Sequence, residues 1–475
     1  MTTNTYENPL TTRYSSMPMQ NLFSSDVKFL TWRKLWIELA RGQRELGLQI
    51  SSEQIEDLEK NAHDIDFKRA GEIERETRHD VMAHIKAFGE KAKKAAPIIH
   101  LGSTSCYVTD NTDIIILRDA LNLIKSQLVL IINELATFAK KHKDLPCLAF
   151  THFQSAQPTT VGKRACLWIA DLMSDLEDLD AVLKKIKFFG CKGATGTAAS
   201  FLSLFENNHQ KVLELEKKIA KKFGFLEIYP ISGQTYSRKL DFSVLAVLSS
   251  IAQSAMKFSN DFRLLSHLKE LEEPFLKTQV GSSAMPYKRN PMRSERITSL
   301  SRFVNVTLLN ASFTASEQWL ERTLDDSANR RVILPQMFLA TDAILSLFVD
   351  IMSGAVVNKG VIKKNLKTEL PFLATENILM HAVKKGGNRQ ELHEKIKQYS
   401  LKASEEIKKG GKNDLLNKIL DDDDFSLSKE ELDKILVVED FIGRSIEQVD
   451  EFLVGVNEML KTNKKLIKDK NEIKV

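Results

Sequence analysis

Four polar islands interrupt an otherwise apolar chain, and they hold the residue types from which proton transfer and anion binding are built. Gly281 to Arg296, reading GSSAMPYKRNPMRSER, has two prolines five apart, three serines, and the cations Lys288, Arg289, Arg293 and Arg296 within nine positions. Its first half cannot be a buried helix. It reads either as a solvated connector or as a mobile anion-binding loop offering hydroxyls and backbone amides to a negatively charged substrate. The spacing GxxxxGK[ST] is absent, so it is not a phosphate-cradling P-loop. The second island, Thr151 to Thr160, carries His152, a possible proton donor or a plain structural histidine. Thr159 or Thr160 is placed to cap the helix that starts near Gly162. In the third, Arg78-His79-Asp80 with His84, a metal site is rejected: residues five apart do not share a helix face, and no third ligand has zinc-like spacing. The fourth, Glu321 to Arg331, is expected inside a breaker-free helix, as a salt-bridge-laced surface or as an arginine pair for a phosphate or carboxylate.

The elements that must hold these islands are long helices. The stretches 103–145, 163–189, 234–273 and 292–334 contain neither Gly nor Pro. Leu117, Leu121, Ile124, Leu128, Ile131, Leu135 and Phe138 recur at the alternating four-three spacing that packs helix on helix. Leu172, Leu176, Leu179, Leu183 and Ile186 repeat it, as do Leu240, Val244, Val247, Ile251, Ala255, Phe258, Phe262 and Leu265. The expected fold is therefore all-α: an N-terminal helical domain 1–104, a central bundle of very long helices 105–357 and a C-terminal helical domain 358–475. Gly386-Gly387, Gly410-Gly411 and the acidic run Asp421 to Asp424 mark turns in the last part. Rods this long need more apolar partners than one chain offers, so packing against copies of the same chain is expected.

Composition removes other classes. The 475 residues contain 20 glycines and 11 prolines, about half the usual share of ~12%, and 43% are hydrophobic, which argues against disorder and turn-rich all-β folds. Lys+Arg 68 against Asp+Glu 63 leaves a net charge of +5 with the signs interleaved, so no nucleic-acid or membrane footprint appears. A basic tail after Leu460 reads as solvated. Cys106, Cys147, Cys166 and Cys191 form no CxxC pair, which argues against a disulfide framework or zinc cage and fits a reducing compartment. No signal-peptide core and no aliphatic run of membrane-spanning length is visible, so a cytoplasmic protein is expected.

In this order the islands resemble a known family. GSSAMPYKRNP resembles the signature loop of the fumarase/aspartase superfamily, whose members eliminate fumarate from a succinyl group; the motif is specific for the superfamily but not for the substrate. Arg78 to His84, His100 to Ser105, Thr151 to Thr160, Ser232 to Lys239, Glu321 to Arg331 and Pro371 to Asn377 look like segments of the adenylosuccinate lyases, eukaryotic branch. The likeness runs from Arg13-Tyr14 to the C-terminal part. Ser155, Ser103 and Ala198 depart from the family's usual proline, alanine and glutamine, and none of these changes removes a catalytic group.

The resemblance implies release of fumarate from succinyl-AMP, giving AMP, and the matching step on succinyl-aminoimidazole-carboxamide ribotide in purine biosynthesis. It implies Ser282 as general base and His152 as general acid, oriented by Glu295. Substrate-binding positions by the same likeness are Arg13, Tyr14, Arg78, His79, Asp80, Thr104, Ser105, Gln234, Lys288, Asn290, Arg296, Arg322, Ser327 and Arg331. It also implies a homotetramer built around a multi-helix core, with each site drawing residues from three subunits. Partners would be small nucleotide substrates, without nucleic acid or membrane, and no cofactor or metal is expected. Such an elimination needs one base, one acid and a cationic cradle; serine is a poor base in water, so Lys288 and backbone amides are expected to stabilise its alkoxide. Another fumarate-releasing lyase, such as argininosuccinate lyase, and a non-catalytic helical structural protein are the alternatives.

Overall fold

A computed structural model describes residues 4–275 and 278–467; the end of the basic tail expected after Leu460 lies outside the described residues. The N-terminal part holds α1 (Met17–Leu22), α2 (Ser25–Glu45), α3 (Ser52–Lys60), α4 (Phe67–Thr77) and α5 (Asp80–Lys91). Their starts are written locally: Ser16, Ser24, Ser51 and Asp66 each accept a first-turn amide, and Ser51 with Gln54 closes a reciprocal capping box.

The middle is built from α6 (Ser105–Lys141), α7 (Val161–Lys185), the short α8 (Ala199–Leu204) and α9 (His209–Lys222), then α10 (Lys239–His267), α11 (Met292–Ser316) and α12 (Asp325–Gly354). Every stripe residue expected on α6 and α10 is buried. The rods pack α10 on α11, α7 and α12, and α6 on α7 and α12. Phe258 stacks on Phe348 with ring centroids 3.8 Å apart. By length and composition α10 and α12 could each cross a membrane, but 83% of the most apolar window of α12 is buried within the protein, as befits a core helix.

Three features depart from the expectation. The fold is mostly helical rather than wholly so: β1 (Pro146–Thr151) pairs antiparallel with β2 (Gln154–Thr160), and the short β3 (Leu271–Glu272) pairs with β4 (Val356–Val357). The breaker-free run 292–334 is not one helix. The chain leaves α11 at Ser316 and turns before α12, so Glu321 to Leu324 lie in a connection. Tertiary contact overrides propensity here: the Gln234 amide donates to the Glu321 carbonyl at 3.0 Å, and a Cβ on Gly233 would meet that oxygen at 2.5 Å. Pro335, conversely, sits inside α12.

After β4 come α13 (Lys359–Leu373), α14 (Thr375–Lys384), α15 (Arg389–Lys408), α16 (Leu415–Leu420), α17 (Lys429–Ile435) and α18 (Ser445–Thr462). Ile378, Leu392, Leu415 and Phe425 centre a second, smaller core. α18 returns to the main core with Val449, Leu453 and Val456, against α6 and α7.

Two histidines, the buried His84 and the half-buried His100, brace the segments that lead into the polar islands. His84 stacks on Phe29 at 3.7 Å, and His100 Nδ1 accepts from the Trp36 indole at 2.9 Å. Burial first, then Arg33 and Lys28, pull His84 down to about 4; burial first, then His79, does the same for His100. An unfolded histidine titrates near ~6.5, so the unfolded chain takes up protons first as pH falls. The stability these groups contribute is whole above about pH 6.5 and drains away towards about pH 4. Thermal unfolding midpoints measured across that window should therefore fall steeply, and less steeply in His84→Gln; a flat profile contradicts the assignment.

Candidate active site

The residues expected to bind substrate fall into separate groups. A cavity of about 520 Å³ brings together His79, Asp80, Ser105, Gln234, Arg322, Ser327 and Arg331. Its walls are the starts of α5, α6 and α12, the segment before α10 and the first turns of α2. His79 caps α5 through the Met82 amide, and its Nε2 lies 3.2 Å from Ser105 Oγ. Asp80 accepts from Arg331 at 2.8 Å. Thr104 is the N-cap of α6, and Arg78 ends α4 with a left-handed φ of 55°. Gln234 donates to the Ala194 carbonyl at 3.0 Å.

Beneath this surface lies a buried ion network. Arg238 donates to Asp110 at 2.8 Å and to Asp326 at 2.6 Å, and Asp326 also accepts from Arg322 at 2.8 Å. Arg330 is held by Asp241 at 2.6 Å and Asp113 at 2.9 Å. Burial alone would push the Asp326 carboxyl up, but Arg238 and Arg322 outweigh it and hold it below its ordinary value. Asp326 is thus the anion that fixes Arg322. Burial and Asp110 push the Cys106 thiol up to about 12, which excludes it as a nucleophile near neutral pH. Five cations and four carboxylates line the cavity, and Asp241 lies behind Arg330, so the cavity is close to electroneutral on its own.

The loop forms a second group. Gly281 is required at its neck, where a Cβ would meet the Lys288 carbonyl oxygen at 2.0 Å; Asn290 closes the neck by donating to the Gly281 carbonyl at 2.9 Å. Ser282 Oγ accepts from the Met285 amide at 3.1 Å. Glu273 fastens the loop's far end: it accepts from the backbone amides of Arg293 and Ser294 at 3.0 and 2.7 Å, at the start of α11. Lys288, Asn290 and Glu295 share a hollow with Arg263 and His267. Arg296 lies over the Tyr14 ring at 5.7 Å, beside Arg13 on the turn Leu10–Tyr14.

His152 stands apart from both groups. It and Phe153 form the two-residue turn between β1 and β2 with φ of 53° and 56°, a left-handed conformation that Asn and Gly adopt far more readily. Among the described residues the exposed His152 ring has no hydrogen-bond partner, and Glu295 does not reach it within the chain. Thr160 caps α7 through the Lys163 amide at 3.1 Å, as the sequence indicated. Apart from Arg322, the sequence reading missed the members of the buried network as site residues: Asp110 and Asp113 lie on the first turns of α6, ahead of the apolar stripe that begins at Leu117. No group of three or more His, Cys, Asp or Glu able to hold a metal occurs among the described residues.

Comparison with known proteins gives this arrangement a family. Residues 24–305 match the profile of the lyase family, and residues 371–452 match that of the adenylosuccinate lyase C-terminus. A 3-carboxy-cis,cis-muconate lactonizing enzyme from Pseudomonas putida shares the fold with a TM-score of 0.82 at 22% identity, covering 95% of this chain and 99% of that one. A fumarate lyase from Mesorhizobium sp. BNC1 does so at 0.80 and 20%, covering 95% of this chain and 100% of that one. Fold and profile together define a lyase. At the level of sequence, adenylosuccinate lyase of Saccharomyces cerevisiae is 50% identical over 98% of this chain and 97% of its own length; that of Schizosaccharomyces pombe is 49% identical over 94% of each. The chain belongs to the adenylosuccinate lyase family.

Removing one partner from the buried network leaves charges stranded in a low-dielectric interior. Arg238→Met, which takes the ion-pair partner from Asp110 and leaves Asp326 with Arg322 alone, should lower unfolding free energy by about 3–5 kcal/mol in denaturant titrations. A loss under about 1 kcal/mol would mean the network does not hold the cavity walls together.

Proposed function

We propose that this chain eliminates fumarate from succinyl-AMP, and from the succinylated carboxamide ribotide of purine biosynthesis, in a site completed by other copies of itself. The observation that carries the reading is the single cavity that gathers His79, Asp80, Ser105, Gln234, Arg322, Ser327 and Arg331 in a chain half identical to an adenylosuccinate lyase. Ser282 takes the proton from the carbon next to a carboxylate, cations and amides hold the charge that moves onto that carboxylate, and His152, oriented by Glu295, protonates the departing nitrogen. The Met285 amide aimed at Ser282 Oγ supports the first role, since it would stabilise the developing alkoxide. Arg13, Tyr14, Arg78, Thr104, Lys288, Asn290 and Arg296 complete the substrate cradle in this reading.

Charge supports the sharing of the site. The substrate brings a phosphate and two carboxylates, whereas the cavity's own cations are largely neutralised by its own aspartates. On the loop, Arg289 is paired with Glu272 and Arg293 with Asp350, so the further positive charge in this reading comes from Lys288 and from Arg296 beside Tyr14. An exposed apolar face on α11 supports a homotetramer: Val306, Leu309 and Phe313 are 68%, 57% and 66% exposed, a surface that costs solubility unless a copy covers it. The three-part division at 104 and 357 and a cytoplasmic location belong to the same reading.

Purified protein given succinyl-AMP should release AMP and fumarate, followed by ultraviolet absorbance; no product would overturn the reading. His152→Gln and Ser282→Ala should each lose about 100-fold or more in turnover while staying helical. Dissociated, mixed in equal amounts and reassociated, the two variants should recover roughly a quarter of wild-type activity, as random pairing of intact halves requires. No recovery in proven hybrids would place both residues in one chain's site.

A further inference from the structure

Four of the five cations lining the cavity are committed to carboxylates inside the chain. Arg238 holds Asp110 and Asp326, Arg322 holds Asp326, Arg330 holds Asp113 and Asp241, and Arg331 holds Asp80. The fifth is Lys28, which lines the same cavity from the start of α2. Among the described residues no carboxylate stands within ion-pair distance of its Nζ, and the ammonium donates no hydrogen bond. It rests instead 5.2 Å from the ring centroids of Phe29 and Trp32, with the open cavity on its other side.

This is an unfavourable place for an unused charge. The start of a helix is the positive end of its dipole, where an acid is stabilised and a cation is not. Burial lowers the pKa of Lys28; Asp113 from α6 opposes that, Arg331 from α12 adds to it, and Asp80 from α5 and Glu74 from α4 oppose it from further off. His84 of α5 also lies within its field. A partly desolvated ammonium with three donors and no internal acceptor is satisfied by an anionic oxygen brought in from outside. We infer that Lys28 is a further substrate-binding cation, donating to an anionic oxygen group of the nucleotide substrate beside His79, Ser327 and Arg331. The inference rests on the lyase reading above, and it adds a residue that the family motifs do not mark.

The test uses the full-length protein, with AMP and fumarate titrated separately by calorimetry. Lys28→Met keeps the apolar stem against Phe29 and Trp32 and removes only the charge. It should weaken AMP binding by about ten- to a hundredfold if the phosphate is the partner, or fumarate binding by that factor if a carboxylate is. Lys28→Arg should restore most of the loss and carry the alkaline limb of the affinity profile to higher pH, because arginine does not deprotonate there. The thermal midpoint of Lys28→Met should not fall, since no internal ion pair is broken. Unchanged affinity for both products would overturn the inference. So would equal weakening in both variants together with a lowered midpoint, which would make the role structural. A wild-type protein that binds neither product and turns over no succinyl-AMP would instead defeat the lyase reading itself, and the role of Lys28 with it.

Discussion

Arg238 is the constraint on which the cavity depends. It joins Asp110 on α6 to Asp326 on α12 from the segment that carries Gln234 and Tyr236, so three walls meet at one guanidinium. Tyr236 lies beneath it, donates its hydroxyl to Asp241 at 2.7 Å and accepts from Arg330. A buried polar cluster is tolerable only when every member is satisfied, and here each charge has its partner. The satisfied network fixes the α6 and α12 starts in register, which in turn aims Ser105, Arg322 and Ser327 at one volume.

Satisfying those charges internally has a consequence for function. A cavity that neutralises itself is stable when empty, but it offers a polyanion little net attraction. The positive charge that such a ligand needs stands elsewhere, on a loop pinned at its neck by Gly281 and Asn290 and at its far end by Glu273. The acid candidate stands elsewhere again, on a hairpin tip held in a left-handed turn. That turn leaves the His152 side chain exposed at the tip of the hairpin. The architecture keeps the three groups apart within one chain, and the exposed apolar face of α11 supports the proposal that association brings them together.

What could be read from the sequence follows the range of the forces involved. The α6 and α10 stripes were legible because helix packing writes itself every three or four residues, and the Thr160 cap because it acts over three. The signature loop stood out through its prolines, serines and cations. The hairpin at 146–160 did not, because its turn is His152-Phe153 in place of the usual Asn-Gly. The break between α11 and α12 was hidden for a related reason: no Gly or Pro marks it, and its cause is the docking of Glu321 against Gly233 and Gln234. The ion network was the least visible, since Arg238 finds its partners 128 and 88 residues away along the chain, and a lone buried aspartate gives no local hint of which arginine will neutralise it.

The claim that one site is assembled from these separated groups is tested most directly by an experimental structure of the protein bound to AMP and fumarate. The account predicts the ligands in the cavity beside His79, Ser327 and Arg331, with His152 and the Ser282 loop reaching them from other copies of the chain. Ligands enclosed by a single chain, or bound away from that cavity with His152 and Ser282 distant from both, would contradict it.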